Sequence, residues 1–307
     1  MFVTCGEALI DMLPRKGADG AQVFQPFAGG SIFNVAVALG RLGVPAGFFG
    51  GLSTDFFGTM LRAALDRSKV DVSLANVSDR PTTLAFVSLS AGKAEYAFFD
   101  EHSAGRMLTE TDLPAFPAEV RGLHFGSFSL AAEPCGSAFE SLMQREHVAR
   151  VISLDPNIRP TLIKNRDGYI ARLDRLVAMA DIVKFSDDDL AWLAPGMAFE
   201  PFARRWLERG ARLVILTRGG EGAEALSKRV SVSVPAMKVP VADTIGAGDT
   251  FSAGVIKRLD ERGLLAKKKI AALNEAQVVD ALAFAARAAS VTVSRPGADP
   301  PWLHELA

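Results

Sequence analysis

The sequence predicts an α/β protein whose central, mostly parallel sheet is covered by helices on both faces. Short apolar segments rich in β-branched and aromatic residues recur along the chain, and amphipathic segments lie between several of them. Strands that are buried on both faces have this continuous apolar character. Strands that alternate with helices favour a parallel sheet. The 307 residues, 49% of them hydrophobic, suffice for one large domain.

Six segments have the composition of buried strands, and seven have the periodicity of helices. The strand segments are MFVTCG, AGFFGG, GLHFGS, RVISLD, DIVKFS and RLVILT. The helical segments are 33–43, 56–68, 136–149, 167–180, 198–209, 248–262 and 275–290. Between the last strand and the last two helices, LSKRVSVSVPAMKV has the pattern of a hairpin.

Two segments do not fit the alternation of strands and helices. Residues 13–25 are polar and glycine-rich, whereas residues 82–99 alternate in polarity and turn at SAGK, which predicts an antiparallel hairpin. Short strands inserted into a parallel α/β chain predict a small β lid beside the main sheet. We therefore expect a single domain over 1–307 with a lid formed by about 13–25 and 82–100.

Composition and charge argue against a nucleic-acid or membrane partner. The formal net charge is −1, so no overall attraction to nucleic acid or anionic lipid is expected. The N-terminal segment has acidic residues and no basic lead, unlike a signal peptide. The most apolar long segment is interrupted by Asp280 and Arg287. Cys5 and Cys135 are predicted to be buried thiols in a reducing compartment, which indicates the cytoplasm.

The segment DTIGAGDTFSAG, residues 243–254, carries two glycines directly before Asp249 at the start of a predicted helix. Small residues let the backbone approach a ligand, and the free N–H groups of a helix start attract anions. A carboxylate beside a bound phosphate is unfavourable unless it accepts a proton from the attacking group. The residues alone leave two interpretations open: a phosphoryl-transfer site with Asp249 as base, or an Asp that caps a helix.

This segment resembles the C-terminal signature of the ribokinase/PfkB family of carbohydrate kinases, and AGGSIFNVAVALGRLG, residues 28–43, resembles the N-terminal signature. Further similar segments are GLSTDFFGTML, LHFGS, DPNIR, KFSDDDL, LTRGGEGA and VTVSRPGA. The resemblance covers nearly the whole chain and implies a three-layer α/β/α ribokinase-like fold. The sequence contains neither G-x-x-x-x-G-K-[ST] nor G-x-G-x-x-G after the first strand, which are the glycine motifs of other nucleotide-binding folds.

The resemblance implies a catalytic role for the glycine–aspartate segment. Asp249 would be the base that deprotonates a sugar hydroxyl as its oxygen attacks the γ-phosphate of ATP. The amides of Gly246, Ala247 and Gly248 would stabilise the charge on the phosphoryl oxygens, and Gly246 and Gly248 would thereby also contact ATP.

The resemblance also implies which residues bind the two substrates. The candidate sugar-binding residues are Asp11, Gly29, Gly30, Asn34, Phe98 and Arg159, and the candidate ATP-binding residues are Lys184, Thr217, Arg218, Gly219 and Gly222. Carboxylate and amide groups suit a polyhydroxy ligand. Four residues keep a plainer interpretation: Asp11 as an ordinary loop acid, Asn34 as a helix cap, Lys184 as an exposed lysine at a strand end, and Phe98 as a residue that packs the lid.

This sequence departs from the family pattern at a metal-binding position and at a position near the adenine. The resemblance implies Mg²⁺ held mainly by phosphates and water. The family's N-x-x-E motif aligns with residues 186–189, where Asp189 replaces the longer Glu, and a water-mediated metal role is expected for it. Asp243 matches one ligand position of a monovalent-cation site, which makes K⁺ a further expected cofactor. An Asn that is common near the adenine aligns with Ala286.

The segments GEALIDML, LHFGS and DPNIR most resemble the fructokinase branch, which implies ATP-dependent conversion of D-fructose to fructose 6-phosphate. The alternatives are a kinase for 2-keto-3-deoxygluconate, ribose or a nucleoside, and a non-catalytic sugar- or nucleotide-binding protein. Acidic Asp100 and Glu101 occupy the place where kinases of sugar acids carry an arginine, which argues against an anionic substrate unless both simply face solvent. The family also implies a homodimer formed through the lid.

Overall fold

The computed structural model describes residues 1–90 and 93–306. Its strands are β1 (Phe2–Cys5), β2 (Leu9–Lys16), β3 (Gln22–Gly29), β4 (Ala46–Phe49), β5 (Gly51–Ser53), β6 (Val70–Asp71), β7 (Asn76–Ser78), β8 (Thr83–Ser90), β9 (Lys93–Phe99), β10 (Gly122–Gly126), β11 (Val151–Asp155), β12 (Ile182–Ser186), β13 (Leu213–Thr217), β14 (Ala223–Leu226) and β15 (Ser231–Val234). Its α-helices are α1 (Ser31–Arg41), α2 (Phe56–Arg67), α3 (Cys135–Glu146), α4 (Arg166–Met179), α5 (Asp187–Leu193), α6 (Phe199–Arg209), α7 (Ala247–Glu261), α8 (Lys267–Ile270) and α9 (Glu275–Val293).

The main sheet has nine strands in the order β15-β14-β13-β12-β11-β10-β1-β4-β6. The strands from β6 to β13 run parallel to their neighbours, whereas β14 and β15 form an antiparallel hairpin at one edge. All six predicted parallel strands belong to this sheet, and the predicted α/β class is confirmed.

Alternate residues of the strands face two separate hydrophobic cores. Along β13, Leu213 and Ile215 pack into the core that contains α1, α7 and α9. Val214 and Leu216 pack into the core that contains α3, α4 and α6. Because both faces of the strand are buried, its sequence reads as a continuous apolar run. The molecule is therefore a three-layer α/β/α structure.

The order of the strands reverses between β1 and β10. From β1 the chain continues to β4 and β6 on one side, and it later returns to β10 on the other side. Connections that diverge in this way leave a crevice at the carboxyl ends of the strands, where ligands bind in open α/β sheets. The segments that follow β1, β10, β11 and β12, and the N-termini of α1 and α7, meet at this edge.

A second sheet of four strands, in the order β3-β2-β8-β9, lies beside the main one. The hairpin predicted over 82–99 is present as β8 and β9, although Ala91 and Gly92 of its expected turn lie outside the described residues. Residues 13–25 belong to a second hairpin, β2 and β3, and β3 leads directly into α1. Whether this sheet acts as a lid stays a prediction.

Helix α9 is long and apolar enough to cross a membrane by length and composition, the one such helix in the described part of the chain. It packs closely against α7 and also contacts β14 and β15. Gly254 of α7 makes the close approach possible, because a Cβ atom there would lie 2.6 Å from the Cα of Ala285. The apolar character of α9 thus follows from its place in the protein core.

Candidate active site

A cleft of about 440 Å³ lies at the point where the strand order reverses. It brings together most of the predicted site residues from six different parts of the chain. Those that line it are Asp11, Gly30, Asn34, Phe98, Arg159, Lys184, Gly246, Gly248 and Asp249. Gly29 and Ala247 lie next to lining residues in the chain, whereas Thr217, Arg218, Gly219 and Gly222 do not line the cleft.

Asp249 is buried in the first turn of α7 and is held by two side chains from the first turn of α1. The Ser31 hydroxyl donates to Oδ1 at 2.6 Å, and the Asn34 amide donates to Oδ2 at 2.9 Å. Burial raises the pKa of Asp249, and the hydrogen bonds from Ser31 and Asn34 partly offset that rise. A carboxylate in this environment is a stronger base than an exposed one, and its orientation is defined on both sides.

The backbone before Asp249 is shaped for an anion. Gly246 has a left-handed conformation (φ 77°), and a Cβ there would lie 2.7 Å from Ala298. Among the hydrogen bonds of the described chain, the Ala247 N–H donates to the Thr244 carbonyl at 3.3 Å, whereas the N–H groups of Gly248 and Asp249 have no backbone acceptor. Gly248 is therefore better suited than Ala247 to bind a phosphoryl oxygen.

A buried ion pair faces this helix start. Lys184 Nζ lies 3.0 Å from Asp155 Oδ2, and both side chains are nearly inaccessible to solvent. Burial alone lowers the pKa of Lys184, but the charges of Asp155, Asp189 and Asp249 outweigh it, so the ammonium stays charged. A Cβ on Gly248 would lie 2.8 Å from Nζ, so glycine is what lets the ammonium approach the helix.

One end of the cleft, which we call the predicted sugar end, is lined by Asp11, Gly30, Asn34 and Arg159. The pKa of Asp11 is raised to about 6, chiefly by burial; the charge of Arg159 lowers this pKa and the charge of Asp249 raises it. The Arg159 guanidinium is held by the side chain of Asn157, from Nη1 to Oδ1 at 2.7 Å. Asp11 and Asn34 therefore supply an acceptor and an amide at one end of the cleft, with a fixed cation nearby.

We expect Gly29→Ala to raise the KM for the sugar about tenfold and to change kcat much less. A Cβ at this position would lie 2.3 Å from Asp11 Oδ2, so the carboxylate must leave its present position. Steady-state kinetics with varied sugar measure the effect, and tenfold corresponds to losing about one charged hydrogen bond. Gly105→Ala is a matched control because its Cβ would meet no atom closer than 4.0 Å. An unchanged KM in Gly29→Ala would exclude Asp11 from sugar binding.

Ser31 is a site residue that the sequence did not reveal, and we expect Ser31→Ala to change the pH profile of the enzyme. Removing its hydrogen bond leaves the Asp249 carboxylate less stabilised, so the pKa of Asp249 rises further. The acidic limb of the kcat profile should move up by about one pH unit, because a hydrogen bond to a charged group contributes about 1.5–3 kcal/mol. Initial rates across pH measure this shift. A ratio of Ser31→Ala to wild-type kcat that does not vary with pH would mean that Ser31 does not act on the base.

Of the four remaining nucleotide candidates, Thr217 is the last residue of β13 and the other three follow it; β13 lies next to the strand that carries Lys184. Gly219 and Gly222 both have positive φ (48° and 113°), and a Cβ on Gly222 would lie 2.1 Å from the Val234 carbonyl oxygen. Arg218 pairs with Glu224 at 2.7 Å on the wall of a separate surface cavity. These residues are thus near the cleft but not part of its wall, and their contact with ATP stays a prediction.

The two predicted metal residues are both engaged by hydrogen bonds within the protein. Asp189 accepts from the Ile158 N–H at 2.7 Å and from the backbone and hydroxyl of Ser186 at 2.8 Å. Asp243 accepts from the Ile245 and Gly297 N–H groups at 3.0 and 2.9 Å. Within residues 1–90 and 93–306 no group of three metal-binding side chains occurs. Asp155 has a more available acceptor atom for a metal-bound water than Asp189 or Asp243, because its Oδ1 is buried without a hydrogen-bond partner.

The acidic pair after β9 does not face the cleft. Asp100 is buried and forms an ion pair with Arg106 at 2.8 Å, in a neighbouring cavity on the other side of Phe128. Glu101 is exposed. The expectation that these charges repel an anionic substrate therefore loses its basis, because Arg106 pairs with Asp100 and neither Asp100 nor Glu101 lines the cleft.

A buried carboxylate beside free N–H groups at a helix start and a charged lysine is an arrangement that suits a phosphotransferase. The pattern for the pfkB family of carbohydrate kinases matches residues 2–305. The chain is 50% identical over 275 residues to a fructokinase from Rhizobium leguminosarum bv. trifolii. The match covers 90% of this chain and 84% of that protein. The chain therefore belongs to the pfkB family of carbohydrate kinases.

Solved structures agree with this assignment. A fructokinase with bound ATP from Xylella fastidiosa superimposes with a TM-score of 0.91 at 28% identity, covering 99% of this chain and 96% of that one. A double mutant of a fructokinase from Vibrio cholerae O395, with fructose, ADP and potassium ion bound, has a TM-score of 0.83 at 28% identity. The match covers 97% of this chain and 93% of that one. The predicted family and ribokinase-like fold are confirmed.

Proposed function

We propose that this kinase transfers the γ-phosphoryl group of ATP to D-fructose and forms fructose 6-phosphate. The observation that carries the proposal is the position of Asp249. It lies in the first turn of α7 on the wall of the cleft, where Ser31 and Asn34 hold its carboxylate. The 50% identity to a fructokinase supports fructose as the sugar.

The sugar binds first through its hydroxyl groups. Asp11 accepts hydrogen bonds from them, and the Asn34 amide turns from Asp249 toward the sugar. The hydroxyl that is to react then takes the place of Asn34 beside Asp249 Oδ2, where it donates to the carboxylate. Phe98 covers the apolar side of the sugar; its ring packs against that of Phe128, with the two ring centroids 5.4 Å apart. This arrangement selects the reacting hydroxyl by geometry.

The chemical step then moves one proton and one phosphoryl group. The hydroxyl proton passes to Asp249 as the sugar oxygen bonds to the γ-phosphorus, while the bond from that phosphorus to the β–γ bridging oxygen breaks and ADP leaves. The free N–H groups at the start of α7 and the Lys184 ammonium stabilise the negative charge on the phosphoryl oxygens. The first turn of α7 thus carries both the base and the oxyanion donors.

Cations complete the proposed site. Mg²⁺, when bound, would neutralise the phosphate charge. The unpartnered Asp155 Oδ1 is better placed than Asp189 to accept a hydrogen bond from a water ligand of the ion, because both Asp189 oxygens already accept hydrogen bonds within the protein. Asp243 connects the loop before α7 to Gly297, which supports a role in a nearby K⁺ site. Potassium ion is bound in the Vibrio cholerae fructokinase.

The four-stranded sheet is proposed to close over the sugar and to pair with a second subunit. Val23, Phe24 and Phe99 expose 44%, 41% and 61% of their surface, and Phe86 packs between the rings of Phe24 and Phe99. An apolar face of this kind on a sheet supports a homodimer, which light scattering on the purified protein tests. We place the enzyme in the cytoplasm, where ATP and sugars meet.

The test of the function is ATP turnover with a panel of acceptors: fructose, ribose, 2-keto-3-deoxygluconate and nucleosides. We expect the highest kcat/KM with fructose. A preference for 2-keto-3-deoxygluconate would point to Arg159 as the partner of its carboxylate, because Arg159 is the arginine that lines the cleft among the described residues. If no acceptor elicits ADP release, the alternative of a non-catalytic binding protein gains support.

A further inference from the structure

Glu7 is a buried carboxyl group to which the proposed reaction gives no role. It follows β1 at the reversal of strand order, lines the cleft and exposes only 4% of its surface. Its Oε1 accepts the Ile32 N–H at 3.3 Å, and its backbone oxygen accepts the Phe33 N–H at 3.2 Å. Its Oε2 is buried with no hydrogen-bond partner. A buried carboxylate that is only half satisfied is costly, which indicates a function.

These contacts replace the missing cap of α1. The residue at the cap position is Gly30, which has φ 102° and no side chain to bind the free N–H groups of the first turn. A Cβ on Gly30 would lie 3.2 Å from the Glu7 carbonyl oxygen and 3.3 Å from its Cγ, so only glycine allows Glu7 to pack there. Glu7 thus binds the helix start from 25 residues away, where a negative charge is favourable.

The helix turn that Glu7 binds is the one that holds the catalytic carboxylate, because Ser31 and Asn34 lie on it and both donate to Asp249. We propose that Glu7 is a positioning residue that, in its ionised form, fixes the first turn of α1 and thereby the orientation of Asp249. It contacts neither the sugar nor ATP in this proposal.

The surroundings of Glu7 make its charge sensitive to pH. The pKa of Glu7 is raised to about 7, chiefly by burial, and nearby polar groups, among them the Ile32 N–H and the hydroxyls of Ser127 and Ser129, only partly offset the effect of burial. Above pH 7 the carboxylate is therefore ionised and binds the helix start strongly. As the pH falls through 7 it becomes neutral, and its bond to Ile32 weakens.

The charged and titratable groups around Glu7 lie on three sides. From α3, the buried Cys135 thiol faces it, and Glu7 contributes to the raised pKa of that thiol. From the segment after β10, the hydroxyl groups of Ser127 and Ser129 approach it. Across the cleft lie the carboxylates of Asp11 and Asp249 and the cations of Arg159 and Lys184. Because Asp11 and Asp249 also titrate, a pH profile of the wild-type enzyme alone cannot isolate Glu7.

The ratio of wild-type to Glu7→Gln activity reports on Glu7, because Asp11 and Asp249 are present in both proteins and only effects that pass through Glu7 remain in the ratio. We expect the ratio of kcat/KM values for fructose to be about tenfold near pH 8.5 and within about twofold near pH 5.5, with one midpoint near 7. Glu7→Asp, which keeps a carboxylate on a shorter chain, should keep part of the pH step. The matched control is Glu146→Gln, another buried glutamate that lies outside the cleft, and its ratio should not vary with pH.

A ratio that stays constant with pH, or that stays near one, would overturn the proposal. This kinetic arm rests on the proposed function, so a second arm works without turnover. In wild-type protein labelled with ¹³C at glutamate Cδ, NMR should show one carboxyl group with a midpoint near 7, assigned by its loss in either Glu7 variant. If neither variant folds, the wild-type titration still decides, since the absence of any such carboxyl group overturns the proposal. A midpoint near 7 without turnover on any sugar would contradict the proposed function instead.

Discussion

Asp249→Asn is expected to lower kcat on the order of 10²–10⁴-fold while leaving the fold and ATP binding largely intact. The amide cannot accept the proton of the sugar hydroxyl, yet it has nearly the shape of the carboxylate. Ser31 can still donate to its oxygen at the position of Oδ1, and the Asn34 amide can turn to present its oxygen to the new nitrogen. Initial rates with fructose and ATP measure the loss, and a thermal unfolding curve checks the fold.

Asp260→Asn is a suitable control for this variant because it lies on the same helix, α7, and pairs with Arg121 at 2.7 Å outside the cleft. It should keep wild-type kcat. If Asp249→Asn retains more than about a tenth of kcat, Asp249 is not the base, and its carboxylate serves only to orient the sugar. Loss of activity in both variants would point to a general weakening of α7.

The sheet was predictable because its strands are buried on both faces, and such strands are recognisable as short apolar runs. The segment 13–25 was predicted to belong to the β lid, but the β2–β3 hairpin itself was not predicted. Its outer part is exposed on both faces, so the segment from Gln22 to Gln25 has no alternation of polarity. The hairpin predicted over 82–99 did alternate and was identified. Periodicity therefore revealed strands only where one or both faces meet a core.

The motifs led to the residues that line the cleft, but not to the residues that hold them in place. Ser31 and Asp249 are 218 positions apart, and Glu7 and Ile32 are 25 apart. Nothing local in the sequence links such pairs, because the link depends on strand order and on the start of α1. Asp100 shows the reverse case: its partner Arg106 is only six residues away, yet the intervening loop decides that they form a buried pair.

Asp155→Asn is expected to have the second largest effect, and it should affect both stability and activity. The change leaves the buried Lys184 ammonium without its nearest counter-charge, and breaking a buried ion pair costs about 3–5 kcal/mol. We expect a loss near the lower end, about 3 kcal/mol in the free energy of unfolding, because Asp189 and Asp249 still favour the charged lysine. Denaturant unfolding measures this loss.

The same variant should lower kcat/KM for ATP about 100-fold, because Lys184 is no longer held against Gly248 at the phosphoryl site. The double variant Asp155→Asn with Lys184→Met separates the two effects, since it removes the uncompensated charge together with its partner. It should regain most of the lost stability and none of the lost activity. If the double variant is no more stable than Asp155→Asn, the lost stability does not come from the unpaired ammonium, and Asp155 stabilises the fold through its contact with Ser252 instead.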